Sequence, residues 1–493
     1  MTDNKDFSKG LIKTKTGKYD KYHLTNSQYR AILAIEDWFF NNKSSQFTLS
    51  GSAGTGKSFL TNVIIKEIFK TKRIVVSAPT HKAVRVIEKF TKRTGKTIHS
   101  LHGLRPNFNI DDLRLDKLKF ESLGLNKFNE YDLILMDESS MIPKEVKKLN
   151  DIRSTQYNTK ILYVGDKLQL PPVRETGISS IFNNEHRFNL TDIVRQDNDN
   201  SLSELLLLLR IDVLNGTSKF INYISKHPTA LSNGLGYSTF NRRQYETIIK
   251  SLFNNDYFKY THKYRLTTYT NDRVNIWNNY IREMVVKSDD IITANDVLMS
   301  YKTVVDENMS TVIINSNDYK VISSEAKLSD DGFKVFVVEL LDLDTFRVKK
   351  VFIVDHTHPT FYSKYYNKLY YLHHNARYCD DPLQKGSMWK MFYNYKDRYL
   401  TMVDFTIYDK QTHRKISYIK KELDYGYAVT IHKLQGSTIE TILMDNMNII
   451  YWDIVKKLRR TNSVENPNVI NMRNRLLYTG LSRASNKGLM LYY

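Results

Sequence analysis

A lysine, a hydroxyl and three glycines stand close together in the string GSAGTGKS at 51–58. Gly51 and Gly56 let the backbone turn so that its N–H groups point at phosphate oxygens, with Ser52, Ala53, Gly54 and Thr55 forming the loop between them. Lys57 supplies a mobile positive charge for β- and γ-phosphates, and the Ser58 hydroxyl can ligate Mg²⁺. The apolar run at 46–49 reads as a strand entering this loop, and 59–69 reads as a helix leaving it. A glycine-rich turn with no ligand is the competing reading. The strand–loop–helix context favours a bound nucleoside triphosphate.

Two further strand ends carry polar groups suited to phosphoryl chemistry. LILMDESSM at 133–141 places Asp137 and Glu138 at the tip of an apolar run about 80 residues after the loop. Such chemistry needs a carboxylate near Mg²⁺ and a group that orients or deprotonates water, roles that suit Asp137 and Glu138 respectively. ILYVGDKLQLPPV at 161–173 runs into a turn holding Gln169, a neutral bidentate group able to sense a γ-phosphate without competing for the metal. Asp166 in the same turn reads equally well as a turn cap. Pro171 and Pro172 stiffen the exit. Arg195 and Arg483 are candidate cations for a closing site, where an arginine contributes ~10³–10⁵ in rate. Taken singly, either reads as a surface ion-pair residue.

The elements that must position these groups alternate. Candidate strands at 46–49, 74–78, 133–136 and 161–164 are separated by helical patterns, which predicts a parallel sheet covered on both faces. The loops that do chemistry then lie at the carboxyl ends of the strands. Residues 106–121 break the rhythm and read as a small β-hairpin insertion. A second alternating region begins near Leu266, with a strand at 265–270 and a helix at 272–287. Residues 311–354 contain β-like runs suggestive of a small antiparallel barrel, and 360–400 read as an aromatic-rich helical pair.

Composition narrows the partners. Across 493 residues, 73 Lys plus Arg stand against 53 Asp plus Glu, a formal charge of +20, and 12% of residues are aromatic, 33 of them Tyr. That excess favours a polyanion, nucleic acid before membrane, over the alternative of a merely solvated basic surface. No apolar run approaches the roughly 20 residues that span a bilayer, and the polar start of the chain does not read as a signal peptide. The run of five leucines at 205–209 reads as a buried helix face. Cys379 is the single cysteine, so neither an intramolecular disulfide nor a Cys-rich zinc site is possible, and a reducing cytoplasm is the expected compartment.

The series of motifs resembles superfamily 1 helicases, specifically the RecD/Dda-like 5′→3′ branch called superfamily 1B, and within it the compact phage members. LTNSQ at 24–28 resembles the adenine-reading Q motif, GSAGTGKS motif I, APTHKAV at 78–84 motif Ia, and TIHSLHG at 97–103 the segment leading to the pin. DESSM resembles motif II, GDKLQLPPV motif III, LTDIVRQ motif IV, YAVTIHKLQGST at 427–438 motif V and YTGLSRA motif VI. The order matches from residue 24 to 484.

The resemblance implies ATP and Mg²⁺ as cofactors and single-stranded and forked DNA as partners of a monomer, with replication or single-strand-binding proteins as further partners. It implies that Gln28 meets adenine, Lys57 the phosphates, Ser58 and Asp137 the metal, and Glu138 the water. Gln169 would couple γ-phosphate to the lobe interface, Arg195 and Arg483 would be arginine fingers, and Gln435 and Gly436 would link nucleotide state to strand contacts. Thr80, His81, His99, Thr430 and His432 match positions near the single strand, although His81 also reads as a helix cap. Phe108 or Phe120 would tip a strand-separating pin, or else pack against the first lobe.

The architecture so implied is α/β: two RecA-like P-loop NTPase lobes with a small β-hairpin insertion and an SH3-like, helical-tower insertion. After a flexible tail at 1–22, lobe 1A would span 23–185 with its pin at 104–125. Lobe 2A would take 186–295 plus 423–493, and domain 2B 296–422. Tyr362, Tyr365, Tyr366 and Tyr370 recur at helical intervals, which favours core packing over base stacking. His356, His358, His373 and His374 lack the pattern of a metal site. The reading is an ATP-dependent DNA helicase with roles in replication or recombination. An RNA-directed helicase and a nucleotide-gated strand clamp are its rivals.

Overall fold

The computed structural model describes residues 22–104, 126–172, 175–194, 200–254, 256–306, 310–410, 412–450 and 467–492. The chain packs as two compact units. The first draws on Met1–Thr239, Leu434–Thr438 and Asn446–Met490, and the second on Phe240–Lys433, Ile439–Asp445 and Leu491–Tyr493.

In the first unit, helix α1 (Asn26–Asn41) precedes strand β1 (Gln46–Gly51) and helix α2 (Lys57–Glu67). Then follow β2 (Ile74–Ala78), α3 (His81–Thr91), β3 (Gly95–Thr97), α4 (Ile98–His102), β4 (Leu133–Met136), α5 (Lys144–Tyr157), β5 (Lys160–Gly165) and β6 (Arg187–Leu190). The six strands pair in parallel in the order β3-β2-β4-β5-β1-β6. The two-residue period of a strand sorts their side chains onto two faces. Val76, Leu133, Leu135, Leu162 and Val164 join one core with Ile32 of α1 and Leu60 of α2. Val75, Ile134, Met136, Ile161 and Tyr163 join another with Leu101 of α4 and Val146 of α5. Burial on both faces explains why the strands read as unbroken apolar runs. α2 begins at Lys57, two residues before the sequence pattern suggests, because the loop itself supplies its first turn.

Helix α6 (Leu202–Asn215) carries the leucine run. Leu202, Leu205, Leu206 and Leu209 are buried, whereas Leu207 faces outward. Helix Pro467–Leu481 belongs to the same unit, and its Asn471 and Asn474 amides donate to the Val213 and Asp212 carbonyls of α6 at 2.9 and 3.0 Å.

In the second unit, strand Tyr264–Thr268 lies between Ala428–Thr430 and Ile439–Asp445, parallel to both, and helix Asn271–Val285 follows it behind a Thr270 cap. Strands Asp318–Leu328, Lys334–Asp342 and Val348–Val354 form an antiparallel meander over their own apolar core. Beside it a helical turn at Phe361–Tyr366 runs into helix Asn367–Tyr378, which pairs with Pro382–Arg398. Of the tyrosines read as core, Tyr365 is fully buried, Tyr366 and Tyr370 are half-buried, and Tyr362 points outward. The hairpin expected at 106–121, with Phe108 and Phe120, lies outside the described residues. No helix among the described residues is long and apolar enough to cross a membrane.

Candidate active site

Parallel strands deliver their carboxyl ends to one edge of the sheet, and the polar residues singled out above follow them there. β1 ends at Gly51, β2 at Ala78, β4 at Met136 and β5 at Gly165. Gly56, at φ 75°, turns the chain from the loop into α2, and a Cβ there would meet Gln28 Nε2 at 2.6 Å. A Cβ on Gly51 would meet Thr55 Oγ1 at 2.5 Å. Both positions therefore require glycine.

Lys57 Nζ donates to the carbonyls of Gly51 and Ser52 at 2.7 and 3.0 Å, which holds its ammonium over the loop. Desolvation pulls its pKa below the ordinary lysine value, while Asp166, Glu138 and Asp137 oppose that shift. Asp137 follows β4, and burial first, Glu138 second, lifts its carboxyl above the usual range. Glu138 is in the left-handed region at φ 51°, with its N–H donating to Asp137 Oδ1 at 2.9 Å. A non-glycine residue held there stores strain at the turn that aims it. Arg483 Nη1 donates to Glu138 Oε1 at 3.1 Å, and the Arg483 Nε is buried without a partner. Asp166 caps its turn by accepting from Leu168 N–H at 3.0 Å, and it also accepts from the Tyr478 hydroxyl at 2.7 Å. Gln169 is buried, and its Oε1 has no partner.

The arrangement fits a nucleotide and its cation. A glycine-shaped loop at a helix N-terminus suits phosphate. Two buried polar atoms nearby, Gln169 Oε1 and Arg483 Nε, lack hydrogen bonds. A carboxyl kept above its usual pKa by burial, and then by a like charge, gains most from a cation. Ser58 is exposed on the first turn of α2. Gln28 lies beneath the loop, where its Nε2 donates to Thr55 O at 3.1 Å and its Oε1 accepts from Thr25 N–H at 3.1 Å. Val194 N–H donates to Gly54 O at 2.8 Å; Arg195 lies outside the described residues.

Thr80 is the cap of α3, its Oγ1 accepting from Ala83 N–H at 3.2 Å, so the capping role weighed for His81 falls to its neighbour. Burial, then Arg85 and His99, pushes His81 down to about 4, leaving a neutral imidazole. His99 is half-buried in α4. Gly436, at φ 78°, sits so close to α3 that a Cβ would lie 3.0 Å from Ala83 Cβ. Gln435 is buried with Nε2 unpartnered. In the second unit Thr430 ends its strand and is buried, and His432, whose pKa burial lowers, has its ring 6.3 Å from that of Tyr269. Of the histidines weighed as a metal cluster, His373 packs edge-on against Trp389 and Phe392 at 5.0 and 5.3 Å, and His358 Nδ1 pairs with Thr360 Oγ1 at 2.8 Å.

Sequence reading missed the residues that hold this edge together. Arg475 Nη1 donates to the carbonyls of Lys167 and Gln169 at 2.8 and 2.7 Å, and Thr479 Oγ1 accepts from Leu170 N–H at 3.1 Å. Arg475, Tyr478 and Thr479 recur at helical spacing, which puts them on one face. That spacing was the available signal.

An AAA domain model matches residues 39–175, the stretch that carries the loop and both carboxylates. The chain is 26% identical over 519 residues to uncharacterized protein R530 of Acanthamoeba polyphaga mimivirus, covering 94% of this chain and 98% of that one. It is 25% identical over 299 residues to the ATP-dependent DNA helicase dda of Enterobacteria phage T4, covering 57% of this chain and 64% of that one. Over 148 residues it is 35% identical to the ATP-dependent DNA helicase Pif1 of Campylobacter jejuni, covering 28% of this chain and 31% of that one. The crystal structure of Pif1 helicase from Candida albicans shares the fold, with a TM-score of 0.50 at 17% identity over 95% of this chain and 94% of that one. The chain is a homologue of the Dda-, Pif1- and RecD-like helicases of superfamily 1B.

Proposed function

We propose that this protein is an ATP-dependent DNA helicase that moves 5′→3′ along a single strand and opens duplex ahead of it. The observation that carries this reading is the Arg483–Glu138 pair, 3.1 Å apart beside the Lys57 loop. An arginine on the water-activating carboxylate is what a triphosphate-cleaving site needs, because charge develops on the γ-phosphoryl oxygens as the bond breaks. The relatives named ATP-dependent DNA helicases support the same reading.

In this reading Lys57 and the loop amides not already bonded within the protein bind the phosphates, and Gln28 offers its remaining N–H to adenine. Ser58 and Asp137 would hold Mg²⁺, which when bound shields the phosphate charge and fixes its geometry. Glu138 orients and deprotonates the attacking water. Arg483 releases Glu138 and turns to the γ-phosphate, with Arg195 as the second finger. Gln169 reports γ-phosphate loss through its turn. Neutral His81 and His432 suit contacts with bases and sugars rather than phosphates. Thr80, His99, Thr430 and the Gln435–Gly436 step complete the strand contacts, with Phe108 at the pin. The boundaries given above for lobes 1A and 2A and for domain 2B are part of this proposal.

The test is unwinding of forked duplexes with a 5′ or a 3′ tail, together with hydrolysis stimulated by matched DNA and RNA strands. The expected result is unwinding from the 5′ tail only, with DNA stimulating more than RNA, and loss of hydrolysis in Lys57→Ala with the fold retained. A 3′ preference overturns the direction, and full activity of Lys57→Ala overturns the site.

A further inference from the structure

Ala53, in the middle of the phosphate loop, is held from outside at both of its peptide groups. Its N–H donates to the Tyr478 hydroxyl at 3.2 Å, and its carbonyl accepts from Arg210 Nη2 at 2.7 Å. Tyr478 is fully buried on helix Pro467–Leu481, and Arg210 comes from α6. The same Tyr478 hydroxyl donates to Asp166 Oδ2 at 2.7 Å, in the turn that leads to Gln169. The Arg210 guanidinium lies 6.0 Å from the Tyr478 ring, so the two residues support each other.

The helices behind them form one block. Asn471 and Asn474 fasten helix Pro467–Leu481 to α6, while Arg475 and Thr479 grip the backbone of the 167–170 turn. A loop of small residues has little side-chain packing of its own to fix its shape. Here its shape is set by two bonds from a rigid helix pair. Displacing residues 52–54 would drag Tyr478, and through it Asp166, since one hydroxyl serves both.

We infer that Tyr478 and Arg210 are positioning residues for the nucleotide, pinning the loop at Ala53 so that its other amides keep a phosphate-receiving shape, and tying it to the Gln169 turn through Asp166. The inference rests on the nucleotide-cleaving reading above. Binding energy supplied by a preformed loop is shared by ground and transition states, so its loss raises KM and leaves kcat. Neither residue touches the reacting atoms.

The experiment compares Tyr478→Phe and Arg210→Met with wild type in the full chain. Three quantities are read: affinity for a fluorescent ADP analogue, KM and kcat for ATP, and melting temperature. Tyr245→Phe is the control, because its buried hydroxyl has no partner to lose. Tyr478→Phe and Arg210→Met should each weaken nucleotide binding and raise KM about tenfold, the worth of one good hydrogen bond, with kcat within about twofold. The Tyr478→Phe/Asp166→Ala pair should be less than additive in binding. A lower melting temperature with unchanged affinity in both variants would make the network merely structural and sink the inference. A kcat collapse at unchanged KM would place the hydroxyl in the chemical step and sink it as well. If Tyr478→Phe does not fold, Arg210→Met decides by the same readings. Wild type that neither binds the analogue nor hydrolyses ATP defeats the functional reading itself, a result distinct from either.

Discussion

Arg483 and Glu138 stand 345 positions apart in the chain, yet the guanidinium of one donates to the carboxylate of the other at 3.1 Å. Both side chains are largely buried, at 9% and 18% exposure, so neither charge is screened as a surface pair would be. A buried carboxylate without its cation would be costly. The pair therefore holds the Glu138 carboxylate in one place at the edge of the loop.

Replacing Glu138 by Gln removes the carboxylate proposed to accept the proton and keeps the shape. Nucleotide binding should survive, while strand-stimulated hydrolysis falls by ~10²–10⁴. Single-turnover phosphate release at saturating ATP checks this. Hydrolysis within a few fold of wild type would mean that the water is activated elsewhere.

Arg483→Lys keeps a charge but loses the planar fork. kcat should drop by ~10³ or more with KM changed only a few fold, since the contribution belongs to the transition state. Steady-state kinetics decide the matter. A rise in KM alone would reduce Arg483 to a ground-state phosphate binder.

His102 predicts an acid weakness of the fold. Buried Nε2 contacts Asn150 Oδ1 and Nδ1 contacts Arg153 Nη1, each at 2.8 Å, an arrangement that suits a neutral ring. Burial, then Arg153, pushes its pKa down to about 3. The folded state thus binds fewer protons than the unfolded state between about pH 3 and the usual 6.5. Stability is full above 6.5 and falls as pH drops, by about 2 kcal/mol at pH 5. Urea unfolding at pH 7.5 and 5.0 should show that loss in wild type and less of it in His102→Gln. Equal losses in both proteins would remove His102 as the cause.

In the second unit Arg265 and Asp318 form a buried ion pair at 2.6 Å, and Arg265 also donates to Gly426 O at 2.6 Å. Arg265→Met takes the guanidinium from the Asp318 carboxylate and should cost about 3–5 kcal/mol, whereas Arg265→Met/Asp318→Leu should recover most of it. Chemical denaturation of both variants tests the claim. A single substitution that costs under about 1 kcal/mol would refute it.

The loop, the two carboxylates and Gln169 were legible in the sequence because each follows an apolar run that becomes a parallel strand. Such a strand has one fate for its carboxyl end. β2 and β4 run over the residues that periodicity gave, 74–78 and 133–136, since continuous burial leaves no ambiguity about them. Arg483 was legible only through its motif setting. Tyr478, Arg210, Arg475 and Thr479 were not singled out, because their value comes from partners more than 150 positions away. The exposure of Tyr362 beside buried Tyr365 was also hidden, as helical spacing does not say which face meets the sheet.

Local chemistry, then, was written in the chain order of amino acids: a glycine-shaped loop, a lysine, paired acids, and a surplus of cations. What the tertiary structure alone decided was which distant groups close on them. Glu138 gains Arg483, and Ala53 gains Tyr478 and Arg210, only when the sheet and two remote helices are packed together. The physical reason is that hydrogen bonds act over about 3 Å in space and carry no trace of separation along the chain.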